Sequence, residues 1–161
     1  MQTALKIRKM KRSDAESVAK MMKALAAYHG DESKAGARDF LSYGLGSAKL
    51  ATIWMAASGA PPAGFAVTYD WMNFVRVYPI RHVDLLFVQE SIRRMGVGSA
   101  LIKRIVSDAK SSGVQRVTVG ADKENEAASS FYQRMGFELR DDPSIQYQLV
   151  CANFDRLASG A

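Results

Sequence analysis

The sequence predicts an α/β fold with a mixed sheet, and three observations predict it. A short alternating run leads into an amphipathic helical stretch; two β-rich runs flank a turn cluster in the middle of the chain; and a strand, helix, strand unit follows a glycine-containing turn. Hairpin-linked strands pair antiparallel, whereas a helical crossover returns the chain parallel, so the sheet carries both senses.

Leu5 and Ile7 alternate with polar neighbours and read as the first strand. Ser13-Asp-Ala-Glu16 is a capping-box pattern that predicts a helix start. Val18, Met21, Met22, Leu25 and Tyr28 then recur at helical spacing until Gly30, which predicts a helix over about 14–28. A second short helix is expected over about 34–43, ending at Gly44 or Gly46. The run from Ala51 to Ala57 reads as a strand, Ser58-Gly-Ala-Pro-Pro62 as a turn, and Phe65 to Tyr69 as the hairpin partner. The nearly continuous apolar run His82 to Val88 fits a strand covered on both faces, the expected sheet centre. A helix over Gly98–Ser112 hands over at Gly113 to the strand Val114 to Val119. A last helix is expected over about 125–135 with Gly136 as its C-terminal cap, and closing strands over Phe137–Leu139 and Ile145–Val150.

Length and composition fit one domain, 1–161, with an ordinary core. The single cysteine, Cys151, excludes an internal disulfide framework; together with His29 and His82 it has no familiar zinc spacing, so no metal is expected. No apolar run reaches the roughly 18 residues of a membrane span, and the basic start Met1 to Arg12 lacks a signal-peptide core. The expectation is a soluble cytoplasmic protein with no membrane partner. The formal charge of +6 admits a nucleic acid, a membrane surface, a phosphorylated ligand or simply a solvated basic surface, and since no nucleic-acid-binding motif accompanies it no nucleic-acid partner is expected.

The chemistry is concentrated in Arg93-Arg94-Met95-Gly96-Val97-Gly98-Ser99, set between the central strand and a helix. Two glycines let the backbone turn closely around a ligand, and the free amides and dipole of a helix start favour an anion such as pyrophosphate. Leu101 stands where a dinucleotide fingerprint needs a third glycine, and the Gly-Lys-Ser/Thr of a P-loop is absent. Alone, the glycine pair also fits a plain helix-entry turn.

With Asn125-Glu-Ala-Ala-Ser-Ser-Phe-Tyr132 and Gly136-Phe137 further on, and with this order of elements, the chain resembles the GNAT superfamily of N-acetyltransferases over nearly its whole length. The resemblance implies a twisted mixed sheet of six to seven strands that splays between the fourth and fifth, with acetyl-CoA in the gap. By that likeness the amides of Arg94 to Ser99 hold the pyrophosphate, with Arg93 beside them. The backbone of Leu86, Phe87 and Val88 pairs with the pantetheine arm, which Asn125 also contacts.

Tyr132 matches the family's general acid, and a phenol of ordinary pKa near 10 stays protonated at neutral pH. The other reading makes Phe131 and Tyr132 helix-packing residues. Asp84 stands where polyamine acetyltransferases of the superfamily carry a catalytic glutamate and is the candidate base, directly or through water. Alternatively it anchors a cation or pairs with Arg81 or Arg116. Asp31, Glu32, Asp70 and Asp84 either line an acidic mouth for a cationic substrate or are solvated charges. Tyr69 to Phe74 forms an aromatic rim suited to stacking, core packing or a dimer contact.

Within the superfamily the chain is most similar to the diamine/polyamine (spermidine/spermine) acetyltransferases, and the implied function is acetyl-CoA-dependent transfer of an acetyl group to a primary amine of a small molecule (polyamine, amino-acid-like or aminoglycoside-like), by direct attack in a ternary complex and within a homodimer. A non-catalytic acyl-CoA-binding module and transfer to a protein or peptide amine are the alternatives.

Overall fold

The computed structural model describes residues 4–57 and 61–140. The chain divides into two compact units, Met1–Asp122 and Lys123–Ala161.

The first unit runs β1 (Lys6–Lys9), a 3-10 turn (Arg12–Asp14), α1 (Ala15–Tyr28), α2 (Ala37–Gly44), β2 (Thr52–Ala57), β3 (Gly64–Asn73), β4 (Tyr78–Val88), a second 3-10 turn (Glu90–Ile92), α3 (Val97–Ser111) and β5 (Arg116–Val119). The five strands lie in the order β1-β2-β3-β4-β5, antiparallel through β4 and parallel between β4 and β5. This is the expected mixed α/β sheet, with five strands among the described residues where six to seven were expected. Of the closing strands, Ile145–Val150 and Cys151 lie outside the described residues, and Phe137–Leu139 forms no strand.

Alternation along β2 sorts the two faces. Ile53 and Met55 join Phe65, Phe87 and the buried residues Val18, Met21, Leu25 and Phe40 in the core beneath α1 and α2. Trp54 and Ala56 point the other way, and Trp54, fully buried, donates from Nε1 to Thr68 Oγ1 at 3.0 Å. α3 packs on the strands and buries Leu101, Ile102 and Ile105.

The start of α1 corrects the capping-box expectation. Asp14, not Ser13 with Glu16, closes the turn: its Oδ2 accepts from the Lys11 amide at 2.6 Å while Arg8 donates to both carboxylate oxygens. Arg8 holds the Asp14 carboxyl below the usual carboxylate range, against the upward push of burial. β3 and β4 also run further than the apolar runs suggested, as far as Asn73↔Tyr78. Their polar ends are carried by ladder hydrogen bonds, by the Arg81–Asp70 pair across the ribbon and by Asn73 Oδ1, which accepts from the Arg76 amide. Phe74, Val75 and Val77 are exposed at the tip.

In the second unit α4 (Glu126–Arg134) starts at Asn125 and ends before Gly136, whose φ of +90° is the left-handed cap expected there. Among the described residues no helix is long and apolar enough to cross a membrane, and no group of three potential metal ligands occurs.

Candidate active site

β4 and β5 pair from Ile80↔Arg116 to Val83↔Val119, and there β5 ends. β4 continues from Asp84 to Val88, about 17 Å at 3.3 Å per residue, with no strand on its β5 side among the described residues. The β4–β5 pairing therefore stops after Val83, a point called the fork, between the two strands for which the resemblance implied a splay.

A β-bulge sits at the fork. Val67 faces Leu85 and Thr68 faces Val83, so Asp84 has no partner opposite it on β3. The extra residue shifts the phase of β4: Leu85 and Phe87 turn to the α1/α2 core, whereas Val83 shares the face of Thr68. Asp84 is exposed, and no ion pair to it exists among the described residues. Neither arginine considered as its partner pairs with it: Arg81 is bound by Asp70 and Asp108, and the Arg116 guanidinium lies over the Tyr78 ring.

The far end of the open edge is held tightly. Gly64 pairs with Val88, and a Cβ on Gly64 would stand 2.3 Å from the Phe87 carbonyl oxygen, so β3 can approach β4 this closely only with glycine. The Gln89 amide donates to Ala63 O at 3.0 Å, and the Gln89 side chain bonds Pro62 O.

From there the chain turns through Glu90–Ile92 into α3. Arg94 at φ +66° and Gly96 at φ +82° both occupy the left-handed region, which points successive amides to one side. The amides of Arg94, Met95, Gly96, Val97, Gly98 and Ser99 donate to no backbone oxygen among the described residues; the first to do so is Ala100, to Gly96 O at 2.9 Å. Three of the six open a 15-residue helix, so the dipole adds to their pull on an anion.

The two arginines part. Arg93 turns back from the loop, donating from Nε to Val88 O at 3.1 Å, with its guanidinium 5.0 Å from the centre of the Tyr28 ring. Arg94 is exposed at the loop itself.

Arg93 and Tyr28 also edge a groove of about 610 Å³ between α1 and the end of β4, with Phe87 and Pro62 in its wall. The sequence reading did not identify this groove. Ser17, Lys20, Met21, Ala24 and Tyr28 line it at intervals of i, i+3, i+4, i+7 and i+11, one stripe of α1, and that spacing was the available signal.

The acidic set is divided. Asp70 is engaged by Arg81, Asp31 Oδ1 accepts from the Glu32 amide, and Asp84 is the carboxylate that β4 itself carries at the fork.

In the second unit Asn125 is the N-cap of α4: its Oδ1 accepts from the Ala128 amide at 3.0 Å. Tyr132 lies edge-on to Phe131 and Phe137, with ring centres 5.2 and 5.7 Å away. Burial pushes its phenol above the ordinary value of 10.

The family model described as "Acetyltransferase (GNAT) family" matches residues 19–137. An uncharacterized N-acetyltransferase of Methanocaldococcus jannaschii is 32% identical over 81 residues, 50% of this chain and 36% of that protein. The peptidyl-lysine N-acetyltransferase YjaB of Escherichia coli is 31% identical over 75 residues, 44% of this chain and 48% of that protein. The matched stretches are thus less than half the length of these relatives. An aminoglycoside acetyltransferase from an uncultured soil metagenomic sample, solved with sisomicin, superposes with a TM-score of 0.76 at 18% identity, covering 91% of this chain and 96% of that one; the likeness is one of fold.

Proposed function

The chain belongs to the GNAT family of acetyltransferases, and on that premise we propose that it transfers an acetyl group from acetyl-CoA to a primary amine, by direct attack in a ternary complex and as a single cytoplasmic domain. The observation that carries the reading is the run of six uncommitted amides from Arg94 to Ser99 at the head of α3. A concave row of N–H donors with a left-handed glycine suits a pyrophosphate.

Acetyl-CoA supplies a thioester whose carbonyl carbon accepts the amine and whose sulfur leaves. This chain's residues do the rest. Arg94, Met95, Gly96, Val97, Gly98 and Ser99 hold the phosphates by their amides, with Arg93 and Arg94 adding positive charge. Leu86, Phe87 and Val88 offer the unpaired edge of β4 to an extended arm carrying amides of its own. An arm lying along that edge from the cradle brings its far end to the fork. There strand amides near Leu86 stabilise negative charge on the carbonyl oxygen. Asp84 draws the protonated amine by charge. Asn125 fixes the start of α4, and Tyr132, protonated at neutral pH, donates a proton to the sulfur.

The acceptor is proposed as a small-molecule amine, a class supported by the aminoglycoside enzyme that shares the fold. A peptide lysine is the second reading, favoured by the YjaB likeness. The polyamine reading has less support, because Asp70 is neutralised by Arg81.

Acetyl-CoA-dependent thiol release tests the proposal. The assay uses spermidine, putrescine, lysine, an aminoglycoside and a lysine-containing peptide, each against an amine-free blank. Release with one amine supports the reading and names the class; folded protein that binds acetyl-CoA and releases thiol with none of them counts against it.

A further inference from the structure

We propose, resting on the acetyl-transfer reading above, that His82 is the group that takes the proton from the acceptor amine and that Thr118 sets its tautomer. In register, His82 faces Tyr69 on β3 and Thr118 on β5. Three residues at one register position across adjacent strands share a face of the sheet. The row lies one position before the last paired residues, Val83↔Val119, and two residues before Asp84 on the same strand, so it stands at the closed side of the fork.

The contacts fix the ring. His82 Nδ1 and Thr118 Oγ1 are 2.9 Å apart, and the Tyr69 ring lies 5.2 Å away at 49°. With Nδ1–H donating to the threonine oxygen, Nε2 carries the lone pair, and Nε2 has no hydrogen-bond partner among the described residues. The histidine and the threonine are half-buried, and Tyr69 is 40% exposed, so the row is open to a ligand.

The chemistry balances. An N–H bond of the ammonium breaks and its electron pair stays on nitrogen; the proton goes to Nε2, leaving an imidazolium. The amine nitrogen then bonds the acyl carbon, the carbon–sulfur bond breaks, and the thiolate takes the phenolic proton of Tyr132. The cationic nitrogen of the adduct sheds its second N–H proton to solvent, which also removes the imidazolium proton and restores the phenol. A neutral imidazole is by its chemistry a stronger base than a carboxylate. This divides the labour: Asp84 holds the cation and His82 takes its proton.

The charged and titratable groups around His82 are Tyr69 and the Arg81-bound Asp70 on β3, Arg116 on β5, and Arg81 and Asp84 on its own strand. The test follows thiol release with the best amine of the panel from pH 6 to 9.5 for the wild type, His82→Gln, Thr118→Val and Asp84→Asn, alongside acetyl-CoA KM and thermal melts. His82→Gln is expected to lose about 10²-fold in kcat at pH 7. It should keep its KM for acetyl-CoA and regain rate as pH rises, because only solution then supplies free amine. Thr118→Val, which keeps the ring, is expected to shift the acid limb and lose about tenfold. A wild-type limb in either His82→Gln or Thr118→Val overturns the proposal, as does a limb lost in Asp84→Asn and kept in His82→Gln. Absence of release by the wild-type protein with every amine overturns the acetyl-transfer reading as well.

Discussion

Arg81 on β4 and Asp108 on α3 meet at 2.8 Å, and the same guanidinium is held from β3 by two further 2.8 Å bonds to Asp70. One buried cation thus ties α3 to the strands just below the fork, and Lys9, 3.2 Å from Asp108, brings in β1. Arg81 is 7% exposed at its side chain and Asp108 15%, whereas Asp70 is 45% exposed, so Asp108 is the partner most costly to lose. Removing Asp108 leaves the buried guanidinium with Asp70 as its remaining carboxylate partner and takes away a charge-assisted bond, at about 2 kcal/mol. Asp108→Ala is therefore expected to destabilise by about that amount in urea unfolding, and Asp70→Ala by less. Equal and negligible effects would show that α3 is held by its apolar face alone.

Acid should act through the same contacts. Burial alone would raise the Asp108 carboxyl, but the Arg81 and Lys9 bonds bring it below its ordinary value, and Arg8 does the same for Asp14. Carboxyls depressed in the fold contribute fully above about pH 4, the unfolded range, and lose that contribution as pH falls through their lower folded values. Stability measured by urea midpoint is expected to hold from pH 7 to about 5 and to fall steeply below 4. In Asp108→Asn that acid slope should be shallower.

Gly96 tests the cradle independently of turnover. Its φ of +82° disfavours any side chain although a Cβ there would meet nothing within 4 Å, so the cost of Gly96→Ala is conformational, about 1–2 kcal/mol. The loop should relax toward ordinary helix geometry and turn its amides apart. Acetyl-CoA affinity by calorimetry is expected to fall about tenfold or more, with a modest drop in melting temperature. Unchanged affinity would remove the Arg94–Ser99 amides from the proposal.

The fold was legible in the sequence wherever a pattern was local. Helical spacing in Val18 to Tyr28 and in Leu101 to Ala109, and the glycines at 113 and 136, gave α1, α3 and α4 to within one or two residues. What escaped depends on partners distant in sequence. β3 and β4 lengthen because each supplies the other's ladder, so Asp70 to Asn73 join a strand that periodicity alone would end sooner. The turn before α1 is closed by Asp14 rather than by Ser13 and Glu16, because Arg8 of β1, six residues away, folds back onto its carboxylate. At the candidate site the Arg93–Ser99 loop was readable from its two glycines, whereas the bulge at Asp84, the His82–Thr118 bond and the α1 groove arise from register and packing that no single segment encodes.

Tyr132 gives the sharpest test of the proposed proton donor. Phe131 and Phe137 flank its ring, and these contacts survive in Tyr132→Phe, so α4 should keep its packing while only the hydroxyl is lost. Because burial raises the phenol above 10, the wild-type tyrosine is protonated throughout neutral pH and its loss of function belongs to an alkaline limb beyond pH 10. With no proton to meet the departing sulfur, kcat is expected to fall about 10²-fold in Tyr132→Phe. Acetyl-CoA affinity should change little, since a phenyl ring fills the same space. The alkaline limb should disappear with the hydroxyl that titrates there. A variant that retains full turnover together with the wild-type limb assigns the sulfur's proton to solvent and returns Tyr132 to a packing role.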